Sequence, residues 1–219
     1  MTSIGASAGL HTITLRRRGS GNQGSFMSTN GLCADTTAQP LMRVRPGRFR
    51  DILFFVRHLV LGARARHFSE AFLQPAEQLL MVKTCCAAIL RNLALLPRRV
   101  GGRRFLVARL GGRTVGAALI ETSLDRHKPG EYLVVLSYLV VAPEARRQGA
   151  ASALVRRMIS DAPAPARVVC ACAPASRGMM KLLSGLRFQP GNRAAELPGL
   201  IAPRLFQYRK TAPPAPRRP

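Results

Sequence analysis

The chain has 219 residues, 47% of them apolar, enough to bury one domain core with tails and too much for wholesale disorder. Its apolar runs, such as "ILFFV" and "YLVVL", are far shorter than a membrane span, and the chain is read as soluble. Thirty arginines and four lysines against ten acidic residues give a formal charge of +24, which predicts a weak, salt-sensitive attraction to polyanions.

The arginines are scattered rather than blocked, so compositional habit accounts for most of them. A dedicated nucleic-acid or ribosome-binding protein would want a stacking platform, yet there is no Trp, only three Tyr and no zinc-finger spacing. Five cysteines, at 33, 85, 86, 170 and 172, form no Cys-x-x-Cys pair, so neither a metal nor a redox motif is expected. Cys170 and Cys172 alternate within "RVVCACA" as small buried hydrophobes would, and a reducing, cytoplasmic setting fits them.

Residues 1–40 are rich in Ser, Thr, Gly and Asn and lack a secretory apolar core. They are expected to be a disordered tail, with Met27 and Met42 as alternative starts. The Pro-rich end, residues 211–219, is expected to be a second disordered tail.

Between them lies one domain, residues 41–210. "LMRVRPGRF" reads as a strand. "RDILFFVRHLVLGARARHFSEAF" and "PAEQLLMVKTCCAAILRNLALL" carry apolar residues at helical spacing. "RFLVARL" and "RTVGAALIET" flank Gly111-Gly112, a two-residue hairpin signal. "EYLVVLSYLVV" is the near-continuous apolar run of a central strand buried on both faces. A helix is predicted from Glu144 to Ile159 with Ala150, Leu154 and Met158 on one stripe, ended by Pro163 and Pro165. "ARVVCACA" returns as a strand, "ASRGMMKLLSGL" as a short helix, and "RFQP" and "LFQYRK" close as strands. The order is β-α-α-β-β-β-α-β-α-β-β, a mixed α/β fold whose one β-α-β crossover, residues 131–173, makes its two strands parallel neighbours.

The start of a crossover helix carries unpaired N–H groups and the positive end of a dipole, so it favours an anion. Here the sequence is "VVAPEARRQGAASALV". Gly149 removes a side chain at the point of close approach, Ala150, Ala151 and Ser152 keep crowding low, and Arg146 and Arg147 add charge. The pattern suits a pyrophosphate. It has no Gly-Lys-Ser/Thr of a P-loop, and only one of the three glycines of a dinucleotide fingerprint.

Val141-x-Pro143-x-x-Arg146-x-x-Gly149-x-Ala151-x-x-Leu154 resembles the acyl-CoA-binding motif of the GNAT superfamily of N-acetyltransferases, and the element order resembles that family from about residue 42 to 210. The resemblance implies a mostly antiparallel sheet whose single parallel pair splays to hold acetyl-CoA. It further implies that main-chain groups of Leu139, Val140 and Val141 pair with the pantetheine arm. The amides of Arg147, Gln148, Gly149, Ala150, Ala151 and Ser152, with Arg146 beside them, would hold the pyrophosphate. A backbone N–H near Val141 would stabilise the oxyanion as an amine attacks.

"SRGMMKLLSGLRF" is similar to a further family region, with Ser176 at its Asn position, Met179 at Ala, Leu183 at Tyr, Arg187 at Gly and Phe188 at Phe. The tyrosine that often protonates the departing thiolate is therefore absent, which leaves Ser176, a water, Tyr138 or unassisted departure. For the base that deprotonates the amine, Glu121, Glu131 and Glu144 are the carboxylates at hand. Glu121 is chosen, since Glu144 reads as a helix-start residue and Glu131 as a strand end. His58, His67 and His127 have no partner at triad or ligand spacing and are assigned packing or surface roles. The function expected is N-acetyl transfer from acetyl-CoA to an amine, either a small molecule or a protein, an acidic or ribosome-associated one among them. An acyl-CoA-binding regulator with weak or no catalysis is the alternative, and an Arg-rich nucleic-acid or ribosome-binding protein is a third reading.

Overall fold

The computed structural model describes residues 41–92, 102–125, 128–191 and 203–212. The expected tail at 1–40, residues 213–219 of the expected tail at 211–219, Cys33 and His127 lie outside them. The strands are β1 (Arg43–Pro46), β2 (Gly102–Leu110), β3 (Arg113–Leu124), β4 (Tyr132–Val141), β5 (Ala166–Cys172), β6 (Gln189–Pro190) and β7 (Arg204–Lys210). The helices are α1 (Phe49–Arg64), α2 (Pro75–Asn92), α3 (Ala150–Asp161) and α4 (Arg177–Gly185). They build one seven-stranded sheet of order β1-β2-β3-β4-β5-β7-β6, antiparallel except where β4 and β5 run parallel. The mixed, mostly antiparallel fold class and the parallel pair agree with the sequence expectation.

The sheet is clad on both sides, which is why its central strands are apolar without alternation. Helices α1 and α2 bury Phe55, Leu59, Met81, Cys85 and Ile89 against Phe105, Val107, Ala117 and Leu119. Helix α3 buries Ala150, Leu154, Val155 and Met158, and α4 buries Leu183, against Leu106, Ala108, Ala118, Ile120, Val134 and Leu136. The β2–β3 turn uses Gly111 and Gly112 at φ 54° and 81°, as the hairpin signal required.

Asp51 pins β1, α1 and β3 together. Only 3% exposed, its carboxylate accepts from the Arg48 N–H (2.9 Å), Arg45 (2.8 Å) and the Thr114 hydroxyl (2.8 Å). Burial alone would raise its pKa, but these three donors hold it below the usual aspartate value. Lys210 closes the other end of the domain, donating to the carbonyls of Ile159 (3.0 Å), Ser160 (2.9 Å) and Ala162 (2.6 Å) at the C-terminus of α3.

Two helices depart most from the sequence reading. The first long helix ends at Arg64, because Arg66 turns to φ 57° and Ser69 then caps a separate 3₁₀ turn, Glu70–Leu73, through a hydrogen bond from Ala71 N (3.2 Å). The crossover helix begins at Ala150 rather than Glu144. Pro143–Ala145 forms a 3₁₀ turn, and positive φ at Arg147 and Gly149 delays α-helical winding. That delay creates the candidate site.

Candidate functional site

Strand β4 holds an irregularity in the middle of its apolar run. Its pairing with β3 passes from Ile120–Leu136 to Leu119–Tyr138, so Ser137 is an extra residue, a β-bulge. The bulge moves side chains from one face to the other. Val134 and Leu136 point toward α3, and after it Tyr138 and Val140 point toward α1 and α2. At the same level the parallel ladder between β4 and β5 ends, with Leu136–Cys170 as its last pair, although β4 runs on to Val141 and β5 to Cys172. The two strands part there into a cleft.

Main-chain groups alternate sides along a strand. Ala142 N–H donates to Val115 on β3 (2.9 Å), so Val140 also turns its main chain toward β3, while Leu139 and Val141 present theirs to the cleft. Of the three residues expected to offer main-chain groups, Val140 is thus directed elsewhere, with its side chain buried on the α1–α2 face.

The anion-binding turn follows at the mouth of this cleft. Arg147 has φ 62° and Gly149, the N-cap of α3, φ 82°. A non-glycine residue at positive φ is strained by roughly 1–2 kcal/mol, a cost that concentrates at functional turns. Within the turn the N–H of Arg146 bonds to Pro143 (3.2 Å) and that of Gln148 to Ala145 (3.4 Å). The N–H groups of Arg147, Gly149, Ala150, Ala151 and Ser152 have no acceptor among the described residues. Gln148 therefore leaves the expected set of amide donors; its side chain bonds to the Glu144 carbonyl (3.0 Å). A Cβ at Gly149 would meet nothing within 4 Å, so the turn faces open space. Arg146 and Arg147 are exposed beside it, and neither forms an ion pair among the described residues.

On the α1–α2 face the half-buried Tyr138 ring packs edge-on against Phe72 (5.3 Å between centroids) and Phe68 (6.2 Å). Burial raises its pKa, the carboxylates of Glu121 and Glu77 raise it further, and Arg103 counters them only in part. Tyr138 is therefore a protonated donor at neutral pH, not a base. Glu121 lies on β3 opposite Val135, paired with Arg103 on β2 and turned to the same face as Tyr138. Glu131 sits at the far end of β4, 3.8 Å from Lys128. Glu144 is exposed in the 3₁₀ turn ahead of α3, not in the helix itself. His58 is a packing residue, its Nδ1 2.8 Å from the Phe54 carbonyl and its ring on Phe54. The thiol of Cys85 is pushed up to about 12 by burial and by Cys86, while Cys170 is raised by its hydrogen bond to Cys172 and by burial.

Leu183 is fully buried in the α3–α4 core, where it has no route to a thiolate. Ser176 is the N-cap of α4, just beyond the end of β5, but its hydroxyl does not cap the helix. It meets His67 instead, Oγ to Nδ1 at 3.3 Å. His67, expected to have a surface or packing role, is half-buried and packs here against α4. Spacing could not reveal this contact, because 109 residues separate the two. Phe68, Phe72 and Glu77 carry no local signal either, since only the tertiary fold brings them to Tyr138.

An open mixed sheet, splayed at one parallel pair beside a strained, amide-lined helix start, defines a recognisable class of protein. The model of the Acetyltransferase (GNAT) family matches residues 68–185, and the chain belongs to that family. Solved structures share the fold at low identity. A ribosomal-protein-alanine N-acetyltransferase from Brucella melitensis is 14% identical with TM-score 0.55, over 77% of this chain and 99% of its own. Arabidopsis thaliana NAA60, solved with a bisubstrate analogue, is 16% identical with TM-score 0.54, over 77% and 98%. A structure from Corynebacterium glutamicum, described as histone acetyltransferase HPA2 and related acetyltransferase, is 19% identical with TM-score 0.53, over 81% and 99%. No curated protein matches the chain.

Proposed function

We propose that residues 41–210 form a domain that moves an acetyl group from acetyl-CoA to an amine. The observation that carries this reading is the turn from Arg146 to Ser152, where five N–H groups without an acceptor and two arginines without an ion pair, among the described residues, open beside the splayed strands. In this reading the amides of Arg147, Gly149, Ala150, Ala151 and Ser152 hold the diphosphate, with Arg146 and Arg147 as its counter-charges. Leu139 and Val141 pair with the pantetheine amides, and a main-chain N–H near Val141 faces the oxyanion that forms on attack. Ser176 contacts the thiol end.

The amine enters on the α1–α2 face, where half-buried Phe68 and Tyr138, backed by buried Phe72, offer aromatic surface and Glu77 and Glu121 offer negative charge. Both features suit an ammonium ion. Glu121, through water, is the base that takes its proton, and Tyr138 orients the nucleophile as a hydrogen-bond donor. Holding amine and thioester in line supplies much of the rate, roughly 7–11 kcal/mol in favourable systems. A cytoplasmic setting supplies both substrates.

The experiment is a free-thiol assay with acetyl-CoA against a polyamine, an aminoglycoside and peptides with free N-termini. The peptides are included because the B. melitensis structure above is named for action on a ribosomal protein. Thiol release that depends on one class of amine supports the proposal. The burial of Leu183 favours a second reading, an acyl-CoA sensor without turnover. Under that reading acetyl-CoA raises the melting temperature but no amine releases thiol.

A further inference from the structure

Three observations converge on His67. It is held firmly: its N–H bonds to the Gly62 carbonyl (2.8 Å), and the next residue, Phe68, packs over Gly62 so closely that a Cβ there would lie 2.5 Å from the ring. Its side chain reaches Ser176, the N-cap of α4 just beyond β5, which forms one wall of the cleft. Phe68 touches Tyr138 on the part of β4 beyond the bulge, the other wall. The contacts from Ser176 through His67 and Phe68 to Tyr138 thus bridge the mouth of the cleft, on the acceptor side. Ser176 also gives up the capping bond that its position offers, which leaves its hydroxyl available to the imidazole.

We infer that His67 and Ser176 form a proton relay to the departing thiolate, taking the place of the phenol that Leu183 cannot supply. The inference rests on the acyl-transfer reading above. As the tetrahedral intermediate collapses, the C–S bond breaks and its electron pair goes to sulfur. Sulfur takes the Ser176 hydroxyl proton, and Ser176 Oγ takes the Nδ1 proton of the His67 imidazolium. His67, only half-buried, is recharged with a proton that the amine gives up on acylation; the amine's other proton goes to solvent. Ser176 touches the reacting sulfur, and His67 acts through it.

The test uses the full chain and two thioesters: acetyl-CoA, and the S-acetyl ester of thionitrobenzoate, whose acidic thiol departs without help. Each is assayed with the best amine of the panel above. For His67→Gln and Ser176→Ala, kcat/KM with acetyl-CoA should fall about a hundredfold, the lower range for general-acid catalysis. With the activated ester it should fall less than about threefold, and the acetyl-CoA affinity of His67→Gln should stay near wild type. Equal losses with both esters would mark a structural role and overturn the relay, as would no loss with either. A wild-type chain that releases no thiol with any amine would overturn the acyl-transfer reading, and the relay with it.

Discussion

Gly149 offers the sharpest perturbation of the cofactor turn. It sits at φ 82° with open space where a Cβ would go, so substitution carries a backbone cost but no clash with the chain. For an L-residue in that conformation the cost is roughly 1–2 kcal/mol. In a domain of this size each kcal/mol lowers the melting temperature by about 2–4 °C. Gly149→Ala and Gly149→Glu should therefore remain folded and melt only about 2–8 °C below wild type. They differ in charge. A carboxylate about 4 Å from one phosphate charge is opposed by about 4 kcal/mol at an effective dielectric of 20. Swinging the side chain toward solvent and the nearby Arg146 and Arg147 reduce this to about 3 kcal/mol, or a little over a hundredfold in affinity. Calorimetric titration with CoA at two salt concentrations is the assay. Gly149→Glu should bind at least a hundredfold more weakly than wild type, with a smaller deficit at high salt. A folded Gly149→Glu chain that binds CoA within threefold of wild type would refute the reasoning.

Two further outcomes follow from the fold. Asp51→Ala leaves Arg45, the Arg48 N–H and Thr114 without their shared acceptor, and breaking such a buried pair costs about 3 kcal/mol or more. Thermal denaturation should show a loss of at least about 6–12 °C. Because the folded-state pKa of Asp51 lies below its ordinary 3.8, its contribution is complete above about pH 4 and is lost as pH falls through the folded value. The deficit of the variant should hence be constant from pH 7 to 5 and shrink in stronger acid. Lys210→Ala removes the cation that caps three carbonyls of α3, which should cost about 2 kcal/mol by urea denaturation without changing acetyl-CoA affinity.

The sequence is legible where one local rule decides the conformation. Gly111-Gly112 favours a turn, the uninterrupted "YLVVL" favours a strand covered on both sides, and Gly149 marks a backbone that side chains follow only at a cost. Legibility fails where a residue's meaning depends on distant partners. Ser137 looks like one polar residue in an apolar run, yet it is the bulge that aims Tyr138 at the acceptor face, and only pairing with β3 makes it one. "GARARHFSEAF" keeps helical periodicity through a break that Arg66 makes by adopting positive φ, against its own propensity. His67 becomes informative only because that break swings it toward Ser176. At the helix start, Pro143 and Glu144 look like a first turn, but the two positive-φ residues after them postpone α3 and leave the amides outward.

The diphosphate grip is tested most directly by comparing acetyl-CoA with S-acetylpantetheine, which carries the same thioester and pantetheine arm but no diphosphate. Each charge-assisted hydrogen bond is worth about 1.5–3 kcal/mol, so even two from the five open amides should separate the ligands by about a hundredfold or more. The wild-type chain should show that gap, and Gly149→Glu should close most of it. Equal affinity of the wild-type chain for the two thioesters would contradict the diphosphate grip.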